Sequence, residues 1–268
     1  MFRKQIICSI TIILILGCEE PINWQLSKSM TDLVVVEAVL TNENKNQLIK
    51  LSRPYAEQNM IPETVSGAVV IISTIDGSYP ALENPPGSGL YFTDSLIAVI
   101  DKLYTISIDF DGQTYFAEGE QSPGEALDQI SYRESSDGMF TLNFNSSGTE
   151  ANYVKYYLSW QETGNCPNND SCEALQIFYD LKNVDVIEQF KPNQELVEFP
   201  EGTTIIRKKY SVSDEYREYL RGMLSETSWR GGLFDVFPAN AATNLSTGAI
   251  GFFAVSTVVS DTTIVVKK

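Results

Sequence analysis

The clearest pattern along the chain is strict alternation. In "LYTISIDFDGQTYFAEG", residues 103–119, Tyr104, Ile106, Ile108 and Phe110 share one face, and Thr105, Ser107 and Asp109 the other. Period two of this kind marks a half-buried strand. Asp111-Gly112 suits a tight turn whose two central residues both take positive φ, so the stretch predicts a hairpin. The same residues brush against a calcium pattern, because Asp109, Asp111 and Glu120 stand at the first, third and twelfth positions of an EF-hand-like loop. The sixth position, where that loop needs glycine, is Thr114, and the flanks read as strands, so the hairpin is preferred.

Other segments follow the same rule. "LVVVEAVLT" (33–41), the turn "NENKN" and the return "QLIKLSRPY" form one pair, and "GAVVIIST" (67–74) reads as a buried strand. "NPPGSGLYFTD" holds a turn and a short strand, and "EQSPGEALDQ" (120–129) reads as a boundary. Beyond it, Phe140, Leu142 and Phe144 share a face, as do Val154, Tyr156, Leu158 and Trp160; "EALQIFYDL" and "TTIIRKKYSV" continue the β pattern. One helix interrupts it, at about 213–226. Ser213 is a good N-cap, Asp214 and Glu215 suit the first turn, and Tyr216, Tyr219, Leu220, Met223 and Leu224 fall on one face. That aromatic stripe is read as core. Residues 229–248 form a long loop rich in Gly, Pro, Asn and apolar residues, and Trp229, Phe234, Phe237, Asn240 and Asn244 make it a candidate binding loop. Two final strands close the chain.

Many short strands with frequent turns predict an all-β fold. The expected organisation is two immunoglobulin-like β-sandwich domains, 32–120 and 125–268, the second carrying the helix.

The N-terminal pattern is different. Arg3 and Lys4 precede an apolar run, Ile6 to Leu16, that is shorter than the ~20 residues a spanning helix needs. It reads as a secretory signal, residues 1–17. Ile15-Leu16-Gly17 before Cys18 resembles the bacterial lipobox, in which the cysteine is lipidated and becomes the new N-terminus. Leu16 stands where a smaller residue is more usual. Residues 18–31 then form an acidic tether, and Glu19 and Glu20 resemble a surface-export signal of Bacteroidota lipoproteins. Cys8 leaves with the signal. Cys166 and Cys172 flank the turn-forming Pro-Asn-Asn-Asp stretch, and outside the cytoplasm such a pair favours a disulfide.

Charge and composition narrow the chemistry. The 268 residues carry a net charge of −16, which repels phosphate backbones and argues against nucleic acid as a partner. There is no histidine, so the commonest general base and metal ligand are missing. No metal, cofactor or catalytic residue is expected. A carboxylate-dependent hydrolase is the remote alternative, since acids are plentiful but no motif singles out a pair.

The order of motifs resembles the Bacteroidota lipoprotein family catalogued as domain of unknown function 4249. The resemblance rests on Cys18, "LVVVEAVLTNE" with "IKLSR", "VSGAVVIIS" with "GLYFT", "YTISIDFDGQTY", and above all "FDVFPANAATNLSTGAIGFFAVS". In the last stretch Pro238, Asn240, Asn244, Gly248, Gly251 and Phe252 match, with Phe252 in place of the usual tyrosine. The resemblance implies an outer-membrane lipoprotein, held by its lipid anchor, whose first domain is transthyretin-like and whose partner is a TonB-dependent receptor. It names no small-molecule or glycan ligand. The expected function is a non-catalytic binding or accessory module in nutrient uptake. A structural or adhesive surface lipoprotein is the alternative.

Overall fold

The computed structural model describes residues 32–55, 60–144, 148–163, 166, 172–182, 196–227 and 242–267. Cys18, Glu19 and Glu20 lie outside them, as do Trp229, Phe234, Phe237, Pro238 and Asn240.

The first half builds seven strands: β1 (Val34–Thr41), β2 (Lys45–Ser52), β3 (Val69–Thr74), β4 (Gly77–Glu83), β5 (Leu90–Leu96), β6 (Leu103–Phe110) and β7 (Gln113–Glu120). Alternate residues of each point inward. Val36, Leu40, Ile49, Leu51, Ile72, Tyr91 and Ile106 are almost wholly buried in one core. The β6–β7 hairpin turns as its sequence predicts: Phe110 pairs with Gln113, and Asp111 and Gly112 take φ of 51° and 73°. Asp109 and Glu120 therefore sit at opposite ends of the hairpin, and no calcium loop joins them.

After a linker come β8 (Tyr132–Ser136), β9 (Met139–Leu142), β10 (Asn152–Ser159), β11 (Glu173–Asp180), β12 (Phe199–Pro200) and β13 (Thr204–Ser211). The helix α1 (Asp214–Thr227) follows, then β14 (Ala249–Ser256) and β15 (Val258–Ile264). The strands form an eight-stranded sheet in the order β14-β1-β2-β5-β4-β3-β6-β7, a four-stranded sheet β11-β10-β13-β15, and a three-stranded sheet β12-β9-β8. Among the described residues the protein is all-β with one α-helix, and its largest sheet curls into a nearly closed barrel.

The sequence places residues 249–256 in the second domain. The structure instead runs β14 parallel to β1 inside the first sheet, from Val34↔Ala249 to Thr41↔Ser256. The physical reason is that β14 is apolar on both faces. Phe253 and Val255 enter the barrel core, whereas Phe252 and Ala254 enter a second core beneath α1. A strand buried on both sides reads as a continuous apolar run. It carries no sign of which sheet it joins.

Thr257, between β14 and β15, is the point where the chain changes sheet. Its N–H donates to Ser211 Oγ at 2.8 Å, and its hydroxyl donates to Ser122 O at 2.7 Å. Asn42 at the end of β1 fastens the other side, accepting from the Val258 N–H at 2.7 Å. Helix α1 starts where expected: Ser213 Oγ accepts from the Tyr216 N–H at 3.2 Å. Tyr216, Leu220 and Leu224 are buried, worth about 1.5–3 kcal/mol each. The Tyr216 and Tyr219 rings lie 5.0 and 5.3 Å from Phe252. The aromatic stripe is thus core, and it staples α1 across the junction of the sheets.

Candidate functional site

The barrel has one seam, between the outer strands β7 and β14, and the stretch leading into β14 fills it. Asn244 donates to Glu118 O at 3.0 Å and to Phe253 O at 2.8 Å, and accepts from the Phe253 N–H at 3.1 Å. Ser246 adds a backbone bond to Phe116 O at 2.9 Å and accepts from the Phe116 N–H at 3.1 Å. Together they supply the pairing that a further strand would make. Lower down, the strands approach directly. Ser122 bridges Ser256, and a Cβ on Gly119 would meet Val255 Cγ2 at 3.1 Å. Gly251, at φ 98°, lets β14 lie against β1, because a side chain there would enter the Val36 backbone. Asn244, proposed from sequence as part of a binding loop, is committed to backbone bonds and acts as a fixture of the seam. Phe252 is 5% exposed and packs on tyrosine rings.

A groove of about 690 Å³ runs along this seam towards the start of α1. Leu103, Pro123 and Phe253 form part of its wall, and Asp101, Glu118, Glu120 and Glu215 give it a strongly acidic rim. Among the described residues no group of three or more His, Cys, Asp or Glu is placed to hold a metal ion.

Two further surfaces are uncovered. On the outside of the barrel, Leu48 pairs with Phe92 and Phe92 with Leu82. The Val70↔Ala81 register sets Val69 next to Leu82. Leu48, Leu82 and Val69 are 42%, 71% and 56% exposed, so an apolar row crosses four strands in the open. Such rows mark interaction surfaces more often than chance exposure does.

The four-stranded sheet has two unlike faces. One packs on the three-stranded sheet through Val154, Tyr156, Leu158 and Phe178. Arg207 is buried in this layer and clamps the linker: it donates to Asp261 at 2.9 and 2.8 Å, to the Asp128 carboxylate at 2.8 Å and to the Asp128 carbonyl. Burial by itself would lower its pKa, but the bonds to Asp261 and Asp128 outweigh this and raise it. Lys209 holds Glu125 at 3.1 Å. The void beside Arg207 is about 20 Å³, room for a single water.

The opposite face is graded row by row. Tyr179, Tyr153, Tyr210 and Val258 lie under α1. The next row is Ile177, Lys155, Lys208 and Ser260, and the row after it Leu175, Tyr157, Ile206 and Thr262. Lys208 binds Glu43 of the β1–β2 turn at 2.5 Å, and Lys45 binds the same carboxylate at 2.6 Å. Burial opposes ionisation of Glu43, but the two lysines outweigh it and lower its pKa. Lys155 makes no ion pair among the described residues. It lies over the Tyr153 and Tyr210 rings at 5.8 and 5.3 Å. Burial, then the like charges of Lys45 and Lys208, lowers its pKa. The sequence signal for this face is the alternation of Lys155 and Tyr157 with Val154, Tyr156 and Leu158, which points the first two away from that core.

The Cys166–Cys172 disulfide is formed, with Cα atoms 5.8 Å apart. It closes the tip between β10 and β11, at the open end of this face.

Asn244 and Gly248 thus lie at the seam with β7, Gly251 against β1 and Phe252 beneath α1. Among curated proteins the chain has no match. The family described as "Domain of unknown function (DUF4249)" matches residues 19–262. A match of that length makes the chain a member of this family.

Proposed function

We propose that the protein is a lipid-anchored, non-catalytic accessory module of the outer membrane, tethered through Cys18 at the cell surface and seated beside a TonB-dependent transporter. The observation that carries this reading is the apolar row Leu48, Phe92, Leu82 and Val69 on the outside of the barrel. A rigid barrel with an uncovered apolar flank is built to lie against another protein. The tether supports the arrangement. The stretch from Cys18 to Asp32 reaches at most ~50 Å, the limit set by covalent geometry, so the barrel stays near the bilayer. Two or more acyl chains hold a protein on a membrane stably.

Two measurements test the reading. Cys18→Ala moves the protein from the membrane pellet to the soluble fraction; a variant that stays in washed membranes defeats the anchor. Pull-down from mildly solubilised outer membranes recovers a transporter barrel in near-equal amount. Leu82→Lys abolishes that recovery while leaving the thermal midpoint within a few degrees. Recovery of the lipoprotein alone from native membranes returns the protein to the structural or adhesive class.

A further inference from the structure

The open face of the four-stranded sheet runs against the character of the whole molecule. The chain carries a net charge of −16, yet this face gathers Lys45, Lys155 and Lys208 around one carboxylate, Glu43. Beside the lysines lies an apolar row: Leu175 is 50%, Tyr157 38% and Ile206 40% exposed. Tyr157 is central, paired with Leu175 on one side and Ile206 on the other.

From this juxtaposition we infer that the face is a docking site for an acidic, extended segment of a protein partner, with carboxylates over Lys155 and Lys208 and an apolar side chain over Tyr157.

Size, charge and spacing each point to that occupant. Four strands ~4.8 Å apart and three open rows ~7 Å apart, the third being Glu173, Ser159, Thr204 and Ile264, give about 400 Å². That is half of the ~800 Å² each partner contributes to a standard interface, so the face suits a short segment rather than a folded domain. A second copy is disfavoured, because two-fold pairing would bring the same lysines face to face. Lys155 and Tyr157 are two residues apart on β10, and in an extended peptide laid along that strand alternate side chains recur at the same ~7 Å. An acid-x-apolar pattern therefore matches the face in register. A carboxylate arriving over Lys155 also supplies the counter-charge that Lys155 lacks among the described residues.

This inference rests on the binding-module reading but uses a different surface from the transporter-facing row, so each can fail without the other. The test is binding of short labelled peptides to the full chain in detergent, followed by fluorescence anisotropy. A peptide alternating glutamate with leucine binds, and its affinity falls as salt rises. The same peptide with glutamine in place of glutamate binds at least ~10-fold more weakly, the ~1.4 kcal/mol expected of one lost charge contact. K155Q, K208Q and Tyr157→Ser each weaken the acidic peptide by a similar factor. Glu43→Gln, which removes the resident competitor, tightens it, a gain that a misfolded variant cannot give. Equal binding of both peptides, or indifference to all four substitutions, overturns the proposal. So does an oligogalacturonate that binds with the same dependence while the peptide does not, since the face then takes an anionic glycan.

Discussion

Asn244 does at the scale of one side chain what a strand edge does along its length. Its three bonds to Glu118 and Phe253 pair backbone groups that face each other across the seam. Asn244→Ala leaves the N–H of fully buried Phe253 without its partner, at about 1–3 kcal/mol. The expected outcome is a lower urea midpoint at an unchanged slope, and Asn244→Asp, with both donors gone, recovers little of it. Gly251→Ala is more severe, because both its φ and the Val36 backbone oppose a Cβ; expression with little folded protein is the expected result. Sequence marks both residues as distinctive but gives neither its role. A motif says that certain side chains recur together; the bonds they make depend on which strands meet, and Asn244 meets partners on both β7 and β14.

Elements were the most legible level. Alternation located the β6–β7 hairpin, and the 3.6-residue spacing with Ser213 located α1. Short, weakly apolar pieces such as β8 were passed over, because an exposed strand of five residues shows little periodicity. The packing of α1 also has a measurable pH dependence. Burial, followed by neighbouring tyrosines, pushes the phenols of Tyr153, Tyr210 and Tyr216 above their ordinary value of 10.0. The unfolded chain gives up these protons first, so the stabilisation is complete below pH 10 and is lost as pH rises through the folded values. Tyrosinate absorbance should therefore lag behind that of the denatured chain and then rise together with loss of ellipticity. A titration overlapping that of the denatured chain would refute the buried cluster. The Cys166–Cys172 bridge closes a short loop, for which chain entropy gives about 2 kcal/mol. Reduction should lower the melting temperature by several degrees, and native protein should show no free thiol at either position.

At the scale of the whole molecule the two-domain reading meets its limit in β14 and β15. These neighbours in sequence lie in different sheets, and α1 packs over both. Nothing in an apolar run says which sheet it will enter, so the return of β14 to the first sheet was not legible. The consequence is cooperative behaviour. A chain ending at Glu120 lacks the strand that covers β1 and should remain unfolded by circular dichroism. The full chain should melt in one transition. Two separated transitions, or a folded N-terminal fragment, would show that β14 is dispensable.

The parallel pairing of β1 with β14 also sets an order of events. Asn42 grips Val258, 216 positions further along the chain. A ribosome releases the first of these strands long before the last. Until β14 arrives, β1 keeps an unpaired edge and the barrel stays open, and contacts of such long range form slowly. The architecture therefore delays commitment to the folded state until nearly the whole chain has emerged.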